Sequence, residues 1–375
     1  MNRRFGVQST GVVCPIIREG DNLAKIVVDS VLDATRMGKK MVQPAPNVKG
    51  LVTVSGEYEY NINDKDVIGI TESVIARAAG LYVTVDEIAD DIRTKYGNDS
   101  TIVVDAPIYS RNRFSMILKG IARAADMVIL GMPAFDEVGN PSGVNPFTGV
   151  DIEAYYRKII ESEGAKCRVV NEVVSALAEP HLQFYQNIIY CGLHDFDEFR
   201  KKYKDVPTYY TLADICSDKN PDFGLLGSNK ATEERLKLFP TKALATEVCY
   251  KVQEHVKKVT GKDVYVCCYG DGCFKDAVGG IWEFADPVSM PGYTNPEVFE
   301  STPNEVKLKA LIDESENDEE VRRKVEEKKA NLKGQMISMG TTPRLIRDLL
   351  ASLMDLTSGS GDRQTPLVWV RGYFN

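Results

Sequence analysis

The chain has 375 residues, 43% of them hydrophobic and 27% charged, with a formal net charge of −8. That length supports a real core and suggests two domains, placed at residues 1–210 and 211–375, while the acidic balance argues against a general nucleic-acid or anionic-membrane surface. No apolar run approaches the roughly 20 residues that span a bilayer, and the first ten residues hold no apolar signal core, so a cytoplasmic protein without membrane or nucleic-acid partners is expected.

Eight cysteines include no CxxC pair, and several sit in apolar stretches, which points to buried free thiols. With only three histidines, a metal here would take oxygen ligands, and that favours magnesium or manganese.

In chain order, residues 11–17 (GVVCPII) read as a strand, and Asp21 as the cap of a helix in which Leu23, Ile26, Val27 and Val31 repeat at helical spacing. Residues 36–62 are irregular. Residues 66–70 (DVIGI) read as a strand and 71–79 (TESVIARAA) as a helix stopped by Gly80. Thr71, Ser73 and Arg77 stand near the first turns of that helix, where exposed N–H groups favour an anion; plain capping by Thr71 is the other reading.

The rhythm repeats with a strand at 101–104, a helix at 114–126 and a strand at 127–132. A polar loop at 133–151 follows, holding Asp136, Glu137, Asn140 and Asp151, and a loop of that length is functional or mobile. A helix at 152–163 and strands at 166–170 and 187–192 continue the alternation, which specifies an α/β (mixed α+β) fold with much parallel pairing. His194 after the last of these reads as a base, a ligand or a helix cap. Polar turns at 211–229 lead to a long helix expected over 232–259. Residues 296–335, rich in Glu and Lys, read as a solvated helical insertion. Neither a GxxxxGK[ST] loop nor a GxGxxG turn occurs, so the P-loop and Rossmann fingerprints are absent.

Two stretches concentrate chemistry. Residues 264–269 (VYVCCY) form a strand that runs into Gly270-Asp271-Gly272, so the backbone on either side of the Asp271 carboxylate is free to approach a ligand. Lys275, Asp276, Glu283 and Asp286 follow, a set that suits a metal–phosphate site or, more plainly, a solvated turn. Near the other end, a helix at 343–356 leads to Ser358-Gly359-Ser360-Gly361-Asp362-Arg363. Its two glycines can form a nest of N–H groups for an anion, with Arg363 adding charge; a flexible turn is the other reading.

Five segments in order resemble the γ-glutamyl ligases that add glutamate to the coenzyme F-420 precursor: GVVCPIIREGDNLAKIV, DKDVIGITESVIARAAG, DFGLLGSNKATEERLK, GKDVYVCCYGDG and SGSGDRQTPLVWVRG. The resemblance implies a homodimeric mixed α/β amide ligase using GTP (or ATP) as co-substrate with Mg2+ or Mn2+. It implies nucleotide contacts from Cys14, Pro15, Ile16 and Ile17 and from the helix bearing Ser73 and Ala76, where Ala76-Arg77 replace the family's Ser-Lys pair. The loop Ser358 to Arg363 completes that set. Asp271 matches a metal aspartate well and Asp218 loosely. Gly272 stands where the family has Thr and Ser360 where it has Gln, and Asp276 or Asp286 is our own substitute ligand.

In the chemistry this implies, a carboxylate is first phosphorylated and an amine then displaces phosphate, which calls for metal ions and cationic clamps more than for a nucleophile. Asp271, Lys275 and Arg77 take the catalytic roles. Arg111 and Arg113 suit a substrate carboxylate, and they lie with Asp136 and Asn140 outside the recognised segments, where acceptor choice would be set. The partners are glutamate and a small-molecule carboxylate acceptor, a deazaflavin or a pterin or folate precursor. A catalytically silent nucleotide- or metabolite-binding protein is the alternative class. A structural protein leaves the loops unexplained.

Overall fold

Short runs of buried, mostly apolar residues form the central strands, apolar residues at helical spacing form the helices between them, and the elements assemble in a mixed α/β fold. A computed structural model describes residues 6–38, 61–98, 100–137, 139–146, 148–171, 187–192, 208–270, 273–275, 282–284, 290–301, 313–332, 345–358 and 364–374. One mixed sheet runs in the order β1 (Gln8–Val12), β15 (Leu367–Arg371), β2 (Val67–Thr71), β11 (Tyr265–Tyr269), β14 (Gly292–Tyr293). β2 and β11 are parallel, while β15 lies antiparallel to both β1 and β2. The carboxyl ends of β1, β2 and β11 and the amino end of β15 therefore share one edge. This sheet takes strands from both sides of residue 210.

Helices cover both faces. α1 (Leu23–Gly38) and α6 (Lys242–Thr260) pack on one, burying Val27, Val31, Cys249 and Val252 against Ile68 and Val266. On the other, α9 (Ile346–Ser358) places Leu350 and Met354 against Val67 and Cys267. Gly292 lets β14 approach α6, since a Cβ there would lie 2.5 Å from Thr246 N and 2.6 Å from the Ala245 carbonyl carbon.

The second five-stranded sheet is wholly parallel, in the order β6 (Lys166–Val170), β5 (Ala125–Gly131), β4 (Ser100–Asp105), β7 (Asn187–Tyr190), β8 (Thr208–Thr211). α3 (Val85–Tyr96), α4 (Arg113–Ala124) and α5 (Ile152–Ser162) supply the large core on one face, and Thr84 and Glu87 close a capping box at the start of α3. Between the two sheets lies a small antiparallel one, β3 (Tyr82–Thr84), β10 (Arg235–Leu238), β9 (Ser228–Thr232), against which α2 (Glu72–Ala78) packs. A hairpin, β12 (Cys273–Lys275) with β13 (Trp282–Phe284), and the helices α7 (Pro296–Phe299) and α8 (Asp318–Leu332) complete the described elements.

The parallel pairing anticipated from the alternation is present. Three expectations are corrected. The strand expected over 11–17 runs instead from Gln8 to Val12, and residues 13–17 leave the sheet around Pro15, which has no N–H to give a ladder. The helix expected from 232 begins only at Lys242, because residues 228–238 form the β9–β10 hairpin and Pro240 lies just before the helix, whose N-cap Thr241 accepts from Leu244 N at 3.2 Å. At α1, Asn22 rather than Asp21 caps, accepting from Lys25 N at 3.2 Å, while Asp21 accepts from Arg18 N at 2.7 Å. The seven described cysteines are free thiols, all but Cys167 buried. No described helix is long and apolar enough to cross a membrane.

Asp66, just before β2, is 1% exposed and accepts from Trp369 Nε1 at 3.0 Å and from Asn63 N at 2.9 Å. Burial pushes its carboxyl above the ordinary value, outweighing those bonds and the Arg371 charge. A raised folded pKa stabilises the protein below the unfolded value, and that stability is lost as pH rises through the folded value. Wild-type stability should therefore fall from near pH 4 upward relative to Asp66→Asn, whose amide oxygen keeps both bonds. Urea unfolding of both proteins from pH 4.5 to 7 checks it, a widening gap in favour of Asp66→Asn being expected.

Candidate functional site

At the shared sheet edge a cleft of about 430 Å³ opens, within the range of small-ligand sites. The register brings its walls together: Val12 pairs with Leu367, Leu367 with Ile70, and Thr71 with Tyr269. Cys14, Pro15, Ile16 and Ile17, continuing from β1, form one wall, tied by Cys14 N donating to Gln364 O at 3.2 Å. Thr71, Ser73 and Arg77 come from the β2–α2 segment, Tyr269 from the end of β11, and Asp355 and Ser358 from α9. Gln364, Thr365 and Pro366, leading into β15, close the rim. Gln364 holds φ of +52°, a conformation that costs a non-glycine residue of order 1–3 kcal/mol and concentrates at functional sites.

The chemistry of this lining is that of binding rather than nucleophilic attack. Burial pushes the Cys14 thiol above its ordinary value, so it stays protonated at neutral pH. Burial likewise raises the Tyr269 phenol far up, and its O–H donates to Pro366 O at 3.3 Å. What remains is one exposed guanidinium, Arg77, the hydroxyls of Thr71, Ser73, Ser358 and Thr365, the Gln364 amide and the Asp355 carboxylate. Hard oxygen donors of that kind suit a phosphate-bearing ligand with a divalent cation.

Of the residues singled out in the sequence, Cys14 to Ile17, Thr71, Ser73, Arg77 and Ser358 meet in this cleft. Ala76 is fully buried in α2 and faces the core. Asp218 stands exposed in a turn beside Lys219, which pairs with Glu87 of α3, and is not among the lining residues. Arg111 is exposed before α4, whereas Arg113 is buried with Nη1 donating to Leu226 O at 3.0 Å. Asp136 accepts from Tyr109 N at 2.9 Å and Asn140 N at 2.7 Å, so Asp136 and Asn140 fold their own loop. Lys275 lies on β12, while Asp271, Gly272, Asp276, Asp286, Gly359, Ser360, Gly361, Asp362, Arg363 and His194 lie outside the described residues. Among the described residues no group of three or more His, Cys, Asp or Glu side chains is arranged to hold a metal.

Tyr269, Asp355 and a buried polar cluster behind α2 were not singled out. In that cluster Lys237 Nζ donates to Ser73 Oγ and lies 3.9 Å from Glu72 Oε1. Glu72 accepts from Thr71 Oγ1 at 2.5 Å and from Asn229 Nδ2 at 3.3 Å. The available signal was the alternation Leu236-Lys237-Leu238, which reads as a strand with Lys237 turned away from the core.

The family model for F420-0:gamma-glutamyl ligase matches residues 11–372. The chain belongs to that family. Its membership supports a ligase activity, and the cleft is built from segments at both ends of the match. No curated protein resembles the chain closely enough to count as a match.

Proposed function

We propose that the protein is a nucleotide-dependent amide ligase that joins glutamate to a carboxylate of a cofactor precursor through an acyl phosphate. The observation that supports it most is the cleft at the common edge of β1, β2, β11 and β15, where the Arg77 guanidinium and the side chains of Thr71, Ser73, Ser358 and Thr365 line a space of about 430 Å³ beside Asp355. In this reading the acceptor carboxylate oxygen attacks the γ-phosphorus of GTP or ATP and the nucleoside diphosphate leaves. The glutamate amine then attacks the acyl carbon, phosphate departs with the bond it held, and the amine's proton goes to solvent or phosphate. Arg77 and Ser73 bind the phosphoryl oxygens, and the 14–17 wall holds the rest of the nucleotide.

Mg2+ or Mn2+ would be held by Asp271, which follows the cleft residue Tyr269 by two positions in the chain, with Asp355 of the cleft wall or Asp276 as a further carboxylate ligand. When bound, such an ion neutralises developing charge on the transferring phosphoryl group. The acceptor is a deazaflavin, as the family's description suggests, with a pterin or folate precursor as the competing choice, and the enzyme works as a cytoplasmic homodimer. Phosphate release and amide product, followed by mass spectrometry with GTP or ATP, Mn2+, glutamate and both acceptor classes, test this. Nucleotide binding without any amide product would favour the catalytically silent reading.

Arg77→Ala should raise the nucleotide KM roughly tenfold to a hundredfold, the loss expected for one charge-assisted hydrogen bond. Because Arg77 is exposed on a short helix, the melting temperature should stay within about 1 °C. Steady-state kinetics beside a thermal melt read both.

A further inference from the structure

Strand β10 turns Leu236 and Leu238 into the core, and Lys237 between them faces α2 with its side chain only 11% exposed. Its ammonium can only donate, so Ser73 Oγ is the acceptor of the bond they share. The Ser73 hydroxyl makes no other hydrogen bond among the described residues, so its own proton is left for the cleft that Ser73 lines. Thr71 is set with the opposite polarity: its hydroxyl donates to Glu72 Oε2 and so turns lone pairs outward. Glu72, 4% exposed, stands between these two hydroxyls in sequence and points back to Lys237.

A buried ion pair of this kind is seldom retained for stability, since replacing both partners by apolar groups is often neutral or favourable. What the pair does here is fix two hydroxyl rotors. Arg77 lies four residues after Ser73 and so on the same face of α2, placing a fixed O–H donor beside a guanidinium.

We infer that Lys237 is a positioning residue of the cleft, holding Ser73 as a hydrogen-bond donor to an oxyanion of the bound substrate. That oxyanion belongs either to a nucleotide phosphate or to the carboxylate of the amino acid. The inference rests on the ligase reading for the identity of its ligands and on the geometry alone for the grip itself.

Titration calorimetry of the full chain with GTP, ATP, inorganic pyrophosphate and glutamate, each against wild type, Lys237→Met, Lys237→Arg and Ser73→Ala, tests it beside a ligase assay. Lys237→Met and Ser73→Ala should each weaken one class of ligand roughly tenfold or more while sparing the other, and combining them should cost little beyond either alone. Lys237→Arg should recover most of the affinity and keeps a cation near Glu72 if Lys237→Met folds poorly. Weakened pyrophosphate and nucleotide binding assigns the grip to phosphate; weakened glutamate binding assigns it to the carboxylate. Affinities equal in wild type and Lys237→Met, with only the melting temperature lowered, overturn the inference and leave the ligase reading standing. Lys237-dependent anion binding without amide formation sustains the inference and overturns the ligase reading. A wild type that binds none of the four overturns both.

Discussion

Asp271→Asn is expected to lower kcat/KM for nucleotide turnover by on the order of a thousandfold while leaving the fold intact. β11 pairs in parallel with β2, and the register sets Tyr269 opposite Thr71, so both strands end on the cleft. Asp271 comes two residues later, after Gly270, whose lack of a side chain permits a close turn. Asparagine keeps the size of the group and removes the charge that a hard cation requires. Charge stabilisation by a metal in phosphoryl transfer is worth several kcal/mol, and each 1.36 kcal/mol is a factor of ten in rate. Phosphate release measured across a manganese titration, with circular dichroism as the control for folding, checks the outcome. Full activity in Asp271→Asn removes this residue from the assignment and leaves Asp355, already on the cleft wall, as the carboxylate to vary next.

The parts of this structure that rest on local pattern were readable from the sequence. The β2–α2 unit, the β4–α4–β5 repeat and α5 follow from strand residues, helical spacing and glycine stops, each element being decided by residues close to it in the chain. The segment 228–238 was not, since SNKATEERLKL contains good helix formers and its hairpin depends on pairing with β3, more than 140 residues earlier. Tertiary pairing overrides propensity of that size. The site divides in the same way. Cys14 to Ile17, Ser73, Arg77 and Ser358 sit at the ends of elements the pattern marks. Asp355 and Lys237 reach the β2–α2 segment only because α9 and β10 bring them across the fold, and no spacing in the sequence records that. The all-parallel order β6-β5-β4-β7-β8 was likewise open to a reading of its class from alternation, but not of its order.

Trp369→Ala is expected to cost about 4–8 kcal/mol, enough to remove a large share of a domain's usual 5–15 kcal/mol. The side chain is 2% exposed in β15, between β1 and β2, with the Arg371 guanidinium 4.9 Å from its ring. Truncation opens a cavity, for which tryptophan costs roughly 3–5 kcal/mol, and strips the buried Asp66 carboxylate of its indole donor, which adds about 1–3 kcal/mol. The two terms can be separated, because Trp369→Phe keeps most of the packing and loses the hydrogen bond. Its cost should be larger at pH 7 than near pH 4: Asp66 is protonated more readily than an ordinary carboxyl, and a neutral acceptor forms a weaker bond than a charged one. Urea unfolding of Trp369→Ala and Trp369→Phe at the two pH values gives the comparison. A pH-independent cost for Trp369→Phe would mean that the indole stabilises β15 by packing alone, and the buried carboxylate would then owe its place to Asn63 and the charge of Arg371.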